Sequence, residues 1–252
     1  MNYFTRINKL TIYLYNFKLH FWVGAFCRNI NKKDNSINFP KGVVAISDII
    51  TLTLDHGNQI PEKSWMLYLL ELFNRQNIAV ELNLICSFNN NGKFDAIFNG
   101  VNQYQFKNIQ PSVGHSYMRQ IIFNSERKSI SYFLEDKTTQ QVEEFNLRFS
   151  DNANFNFEIA NQFTGIEWWN KIGNSLYPIR YQVEISQLMY GIKHKATDPQ
   201  SLIYLPYTSL IENNEGNAST YPISFYNTKI KDGCICFMIS SGSCKNGLRY
   251  NC

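Results

Sequence analysis

The sequence predicts an all-β protein, a two-sheet antiparallel sandwich of the jelly-roll type. Apolar residues recur at every second position in many short segments, which is the period of a half-buried strand. Clusters of Asn, Gly, Asp and Ser separate these segments, and few segments carry a helical stripe. With 252 residues, 44% of them hydrophobic, the chain can bury a core without disulfide support. We expect a single β-sandwich domain over 1–252, with 213–252 as a Cys-rich C-terminal segment.

The first predicted strand lies within 10–26, where aromatic and aliphatic residues alternate with Asn16, Lys18 and His20. This segment is shorter than the roughly 20 apolar residues that a membrane-spanning helix needs, and it carries a charge near its centre. A transmembrane span is therefore not expected.

The segment Trp65–Phe73 is apolar almost without interruption. Such a run suits either a short helix or a strand buried on both faces, and we favour a central strand. The remaining predicted strands are 43–54, 78–84, 94–98, 118–123, 130–134, 143–149, 155–159, 165–169, 179–185, 201–205, 223–226 and 234–239. The residues expected to be substantially buried are Trp65, Leu82, Phe145, Leu147, Phe149, Trp168 and Val183.

The charge balance argues against nucleic acid as a partner. The chain carries 24 Lys and Arg against 20 Asp and Glu, and the basic residues are dispersed. A protein that follows a phosphate backbone concentrates them in one stripe. A glycan or a polypeptide is the partner that this composition leaves open.

The six cysteines favour disulfides or inert thiols over a metal site. Four of them, Cys234, Cys236, Cys244 and Cys252, lie near the C-terminus, and no His follows His194. Zinc sites use paired C-x-x-C knuckles or added His ligands, which this spacing lacks. We therefore expect no metal and no cofactor. Bridges from Cys234 or Cys236 to the tail would place the protein in an oxidising, extracellular or cell-surface compartment.

One motif imitates a hydrolase nucleophile. Gly114, His115 and Ser116 follow the start of the G-x-S-x-G elbow, and Asp151 and His194 come later in the chain. That elbow needs a strand before the serine and a helix after it, whereas Met118–Phe123 alternates as a strand. We interpret this segment as a loop that enters a strand.

The segment with the most chemical content is 163–170, which places Glu167 beside Trp168 and Trp169. On a strand, Glu167 and Trp169 share one face while Ile166 and Trp168 share the other. A carboxyl buried among aromatic rings has a raised pKa, as a general acid needs. The rings could also form a binding platform. Alternatively, Ile166 and Trp168 fill the core while Glu167 is solvated.

This segment resembles the A-E-W-I-x-E strand of the glutamic peptidases, also called eqolisins, which are concanavalin A-like jelly rolls. In that family a Glu activates a water molecule and a Gln helps to hold the water and stabilise the oxyanion. The resemblance implies that Glu167 is the catalytic Glu. The Gln is expected on an earlier strand after a Trp, but this chain reads Trp65-Met66-Leu67-Tyr68 there.

A similarity to concanavalin-like lectins and glucanases is equally good. Those glucanases use two carboxylates on neighbouring strands, so Glu184 would partner Glu167 if the strand at 179–185 lay beside it. Gln182 on the same strand would be the nearest substitute for the missing amide.

Two functions follow from the sequence. The first is a non-catalytic β-sandwich binding module for a glycan or a protein surface, with Trp168 and Trp169 in the binding surface. The alternative is a glutamic-peptidase-like or glucanase-like hydrolase that uses Glu167. The missing Gln favours the binding module.

Overall fold

A computed structural model describes residues 21–28, 39–52, 60, 62, 64–87, 90–170, 182–195, 198–206, 211–216, 223–231 and 234–241. Regular structure in these residues consists of strands alone. In chain order the strands are β1 (Phe21–Arg28), β2 (Val43–Leu52), β3 (Ser64–Asn74), β4 (Ala79–Ser87), β5 (Asn90–Phe98), β6 (Val101–Gln105), β7 (Ser116–Asn124), β8 (Ser129–Asp136), β9 (Gln141–Arg148), β10 (Ile159–Asn170), β11 (Gln182–Lys195), β12 (Asp198–Pro206), β13 (Ile211–Gly216), β14 (Ile223–Lys231) and β15 (Cys234–Ser241).

The strands form two antiparallel sheets. The seven-stranded sheet has the order β13-β1-β10-β3-β4-β5-β6, and the eight-stranded sheet has the order β14-β15-β11-β2-β7-β8-β9 with β12 beside β11. The main hydrophobic core joins residues of both sheets, such as Tyr68 and Leu82 with Ile46 and Tyr132. The predicted all-β sandwich is confirmed.

Strand β3 is the central strand of the seven-stranded sheet, as its apolar run predicts. It lies between β10 and β4, and every residue but Trp65 is buried. One face of β3 enters the main core through Tyr68 and Leu70. The other face enters a second, smaller cluster through Leu67 and Leu69. A strand with two buried faces loses the alternation that an exposed face would impose.

The predicted strand at 155–159 is wrong over most of its length. Residues 153–157 are irregular, and β10 begins only at Ile159. The aromatic residues there still serve the core, because Phe155 stacks on Phe149 at 4.7 Å and meets Phe157 edge to face at 4.9 Å. The spacing of two between these aromatic residues therefore belongs to an irregular loop that packs on aromatic rings, and not to a strand. Strands β6 and β13 are not among the predicted strands.

The residues predicted to be buried do pack against a hydrophobic cluster where they are described, but those at the sheet edge are less buried than expected. Leu82 is fully buried, whereas Phe145, Leu147 and Phe149 are only half-buried against the core. Phe145 and Leu147 belong to β9, which ends its sheet and, among the described strands, pairs with β8 alone. Trp65 is also half-buried. The side chains of Trp168 and Val183 lie outside the described part.

A buried ion pair of the eight-stranded sheet also contacts the opposite sheet. Arg119 on β7 and Asp48 on β2 are both 0% exposed, with Arg119 Nη2 2.6 Å from Asp48 Oδ2 and Nε 2.9 Å from Oδ1. The guanidinium also reaches the opposite sheet, where Nη1 donates to the carbonyls of Tyr68 and Leu82 and Nη2 to that of Leu69. These contacts use all five N–H donors of the arginine.

Arg119 occupies an interruption in the ladder between β3 and β4. The pairing runs from Tyr68–Leu84 to Glu71–Glu81 and omits the two residue pairs between them. Within this gap the N–H of Leu70 donates to the side-chain Oδ1 of Asn83, at 3.3 Å. The guanidinium therefore accounts for the carbonyls that the ladder releases, which would otherwise be buried without a donor.

The cysteine predictions are only partly covered by the described residues. Cys86 is buried in the main core, as predicted. Cys234 and Cys236 lie on β15, while Cys244 and Cys252 fall outside the described residues. The disulfides, the compartment and the single-domain assignment stay predictions.

Candidate functional site on the outer face of the seven-stranded sheet

The outer face of the seven-stranded sheet carries Glu167, as strand alternation predicts. On β10, Ile166 packs in the main core between the sheets, whereas Trp169 belongs to the smaller cluster on the other side. Glu167 shares the face of Trp169 because the two positions differ by two residues. Trp168, the other predicted binding tryptophan, follows Glu167 on β10, and its side chain lies outside the described part of the chain.

The residues opposite Glu167 are apolar. Its in-register partners are Leu67 on β3 and Gly24 on β1. One strand further, Ile85 on β4 lies opposite Leu67. The sequence has no Gln directly after Trp65 on β3. The positions on β1, β3 and β4 that lie in register with Glu167 hold no Gln either.

Trp65 and Trp169 form a stacked pair at one end of this face. They lie directly opposite each other on β3 and β10, with ring centroids 6.3 Å apart and planes inclined by 2°. The indole Nε1 of Trp169 donates a hydrogen bond to Glu167 Oε2 at 3.2 Å. Glu167 is completely buried, so the expectation of a merely solvated carboxylate does not hold. The half-buried Trp65 carries the more accessible ring of the pair.

A band of buried polar residues crosses the same face beyond Leu69. Glu71 and Glu81 are directly opposite each other on β3 and β4, and Asn83 is opposite Asp95 on β5. Asn83 Nδ2 donates to Glu81 Oε2 at 2.7 Å. The period-two pattern does not reveal this band, because each of its residues sits singly in an apolar strand. The sequence feature that could have indicated the band is the presence of one acidic residue inside each of two neighbouring apolar strands.

The third carboxyl of the band, Asp95, is paired with a lysine of its own strand. Lys93 Nζ lies 2.7 Å from Asp95 Oδ2. Burial raises the pKa of Asp95, while Lys93 and a hydrogen bond from Asn102 oppose the rise. Its other oxygen, Oδ1, is buried and has no hydrogen-bond partner within the described structure.

The predicted partners of Glu167 are not beside it. Glu184 and Gln182 lie on β11, which belongs to the eight-stranded sheet and pairs with β2, β12 and β15. Glu184 is opposite Thr51 on the side of β11 away from the core residue Ile185. The core therefore separates it from Glu167, by more than the ~10 Å spacing of packed sheets. The condition under which Glu184 would partner Glu167, a position on a neighbouring strand, is therefore not met.

The hydrolase-like motif has the structure that its alternation predicts. Ser116 begins strand β7, and its Oγ lies 2.8 Å from Thr51 Oγ1. His115 Nδ1 lies 2.8 Å from Asp136 Oδ2, in the turn region beside the hairpin of β8 and β9. Within the described ranges no cluster of three His, Cys, Asp or Glu residues has metal-binding geometry. The described part of the chain also contains no helix that could cross a membrane.

Comparison with known proteins places the fold. No protein-family model matches the chain, and no curated protein matches its sequence. Solved structures of scytalido-glutamic peptidase, with a transition state analog inhibitor and with a peptide based transition state analog, match it with TM-scores of 0.51 and 0.50. Both are 12% identical and cover 88% of this chain and 98% of the peptidase.

Lectins match the chain more distantly. The basic winged bean lectin with Tn-antigen has a TM-score of 0.29 at 8% identity, over 56% of this chain and 75% of the lectin. At 12% identity, the likeness to the peptidase structures establishes the fold. The predicted resemblance to glutamic peptidases is thus confirmed in the architecture.

Proposed function

We propose that the chain is a non-catalytic β-sandwich module that binds a glycan or a polypeptide on the outer face of its seven-stranded sheet. The observation that carries this proposal is the parallel stack of Trp65 and Trp169 anchored by Glu167. We call this trio the tryptophan platform.

The buried carboxylate of Glu167 has a structural role in this proposal. It accepts the indole N–H of Trp169, which needs a partner once the ring is buried. Held at its edge by Glu167, the ring of Trp169 supports the ring of Trp65. A fixed Trp65 loses little conformational freedom when a ligand packs on it, which favours binding.

The neighbours of Glu167 support binding over catalysis. The glutamic-peptidase resemblance implies an amide that holds a water molecule against the carboxylate. The in-register positions on β1, β3 and β4 instead hold Gly24, Leu67 and Ile85. None of these side chains can donate or accept a hydrogen bond.

The ligand that suits the platform has a flat apolar surface of its own. The face of a sugar ring and the side chains of aromatic residues or proline share this property. Lys93, at one-third exposure, adds a hydrogen-bond donor opposite Ile85 on the same face. An aromatic contact of this kind contributes about 0.5–1.5 kcal/mol beyond the area that it buries.

The test is a binding screen with the intact chain, read by tryptophan fluorescence. Soluble oligosaccharides form one arm, and a denatured protein such as reduced casein forms the other. Trp65→Ala should weaken the binding of any ligand found by at least tenfold. Phe133→Ala is the matched control, because Phe133 is a half-buried aromatic residue on the outer face of the other sheet. Equal losses in both variants, or no binding in either arm, would refute the proposal.

A hydrolase is the second candidate, supported by the facing pair Glu71 and Glu81 on the same face as Glu167. Two adjacent carboxyl groups cannot both ionise easily in a buried site, which is one route to acid–base chemistry. The screen therefore includes hydrolysis of denatured protein and β-glucans from acid to neutral pH. Activity lost in Glu167→Gln or Glu81→Gln, with folding retained, would favour the hydrolase.

A further inference from the structure

Strand β9 is a long and regular edge strand. It ends the eight-stranded sheet and pairs with β8 over all eight of its residues without a register shift. An edge strand has a row of backbone N–H and C=O groups that its own sheet leaves unpaired. Within the described chain, β8 is the sole strand paired with β9.

Strand β9 lacks several of the usual protections of an edge. Natural edges are blunted by prolines, bulges, lysines or short length. One edge strand of the other sheet, β6, has five residues and a register shift against β5. In contrast, β9 has no proline, no lysine and no bulge. Its inward carboxylate, Glu143, is already bound by Tyr104 Oη and the N–H groups of Lys107 and Asn108.

The exposed face of β9 carries opposite charges at symmetric positions. Glu144, Asn146 and Arg148 are all exposed on this face, with Asn146 midway between the two charges. Asn146 Nδ2 donates to Glu144 Oε1 at 2.8 Å, which orients the carboxylate along the strand. If a two-fold axis passes through Asn146, a second copy of β9 runs antiparallel to the first. Its arginine then lies opposite the glutamate of the first copy, and its glutamate lies opposite the arginine.

We propose that β9 pairs antiparallel with β9 of a second copy of this chain, around a two-fold axis at Asn146. Glu144 of each copy then lies opposite Arg148 of the other, in two equivalent ion pairs. On the inner face, the half-buried Phe145 lies opposite Leu147 of the second copy. Both side chains become more buried in the dimer. The two eight-stranded sheets become one continuous sheet.

Other symmetric registers are less favourable. A two-fold axis keeps side chains on their own face, so it passes through a residue of β9 rather than between two residues. An axis at Glu144 would set that carboxylate against its own copy. An axis at Phe145 or Leu147 would place each charge opposite an uncharged residue. Like charges directly opposite destabilise strand pairing, and opposite charges stabilise it.

The first test is a charge swap followed by sedimentation velocity of the intact chain over a range of concentrations. Glu144→Arg and Arg148→Glu should each weaken dimerisation about tenfold or more, because each turns two attractions into two repulsions. The double variant should restore it. Arg127→Glu is the control, since Arg127 is exposed on the turn between β7 and β8. A monomer at every concentration, or a dimer unchanged by both single reversals, would overturn the proposal.

The second test fixes the register by oxidation. Asn146→Cys places two thiols across the axis within disulfide reach, so mild oxidation should yield a covalent dimer. Val142→Cys is the matched control on the same exposed face; its two copies would lie about 27 Å apart, at ~3.4 Å per residue. Equal crosslinking of the two variants would contradict this register.

Discussion

Replacing Arg119 by methionine should destabilise the folded protein severely. Arg119 is 0% exposed and makes two bonds to Asp48 and three to backbone carbonyls of the opposite sheet. Methionine fills much of the same volume but donates no hydrogen bond. The substitution therefore isolates the loss of polar contacts from the creation of a cavity.

The expected loss in the free energy of unfolding comes from the buried polar groups that lose Arg119 as their partner. Asp48 would be left as a buried carboxylate without its partner, which costs about 3–5 kcal/mol. The carbonyls of Tyr68, Leu69 and Leu82 would lose donors, each worth about 1 kcal/mol. These contributions are coupled, so we expect a loss of at least about 4 kcal/mol. A domain of ordinary stability, about 5–15 kcal/mol, would become marginal.

The assay is equilibrium unfolding in urea, followed by tryptophan fluorescence. If Arg119→Met fails to fold, the double variant Asp48→Leu with Arg119→Met keeps the reasoning testable, because it removes the unpaired charge and should be the more stable of the two. Arg75→Met is the matched control: Arg75 also pairs with a carboxylate, Glu158, but at the surface. Its unfolding midpoint should stay close to that of the native chain. An Arg119→Met variant as stable as Arg75→Met would refute the reasoning.

Two further predictions concern the buried carboxylates of Asp136, at the end of β8, and Glu143, within β9. Burial alone would raise the pKa of Asp136, but hydrogen bonds from His115 and two backbone N–H groups hold it below its ordinary value of 3.8. A lowered pKa stabilises the folded state above that value, and the effect is lost as the pH falls through the folded pKa. Urea midpoints between about pH 5 and pH 2.5 should therefore fall less steeply in Asp136→Asn, and equal slopes would count against this origin. Glu143→Ala should cost about 1–3 kcal/mol in urea unfolding, since Lys107 and Asn108 lose their acceptor. Glu143→Gln should cost less, and a reversed order would contradict the role given to that carboxylate.

Alternation is sufficient to assign the faces of β10. It predicts Ile166 and Glu167 on opposite faces, and Ile166 does enter the main core while Trp169 joins the outer cluster. This works because side chains on a strand must alternate, whatever the neighbouring strands are. The unbroken apolar run of β3 likewise identifies a central strand, because both of its faces are buried.

The alternation of side chains along a strand does not predict which strands lie beside it. Nothing in the local pattern says that β10 lies between β1 and β3 or that β11 belongs to the other sheet. Alternation therefore cannot decide whether Glu184 lies near Glu167, and in the structure the core separates them. Glu71 and Glu81 form no motif in the sequence, and they meet only because β3 and β4 form a hairpin in that register.

The sequence by itself determined the class of the fold, the two faces of most strands, and the absence of an amide next to the tryptophan of β3. These properties depend on period-two patterning and on residue identity, which are local. The tertiary structure alone decided that Trp65 stacks on Trp169, that Glu167 is buried against an indole, and that Arg119 spans both sheets. The stack and the arginine contacts join residues far apart in the chain, and the burial of Glu167 depends on the strands on either side of it. Strand order and register fix all three through the packing of the whole chain.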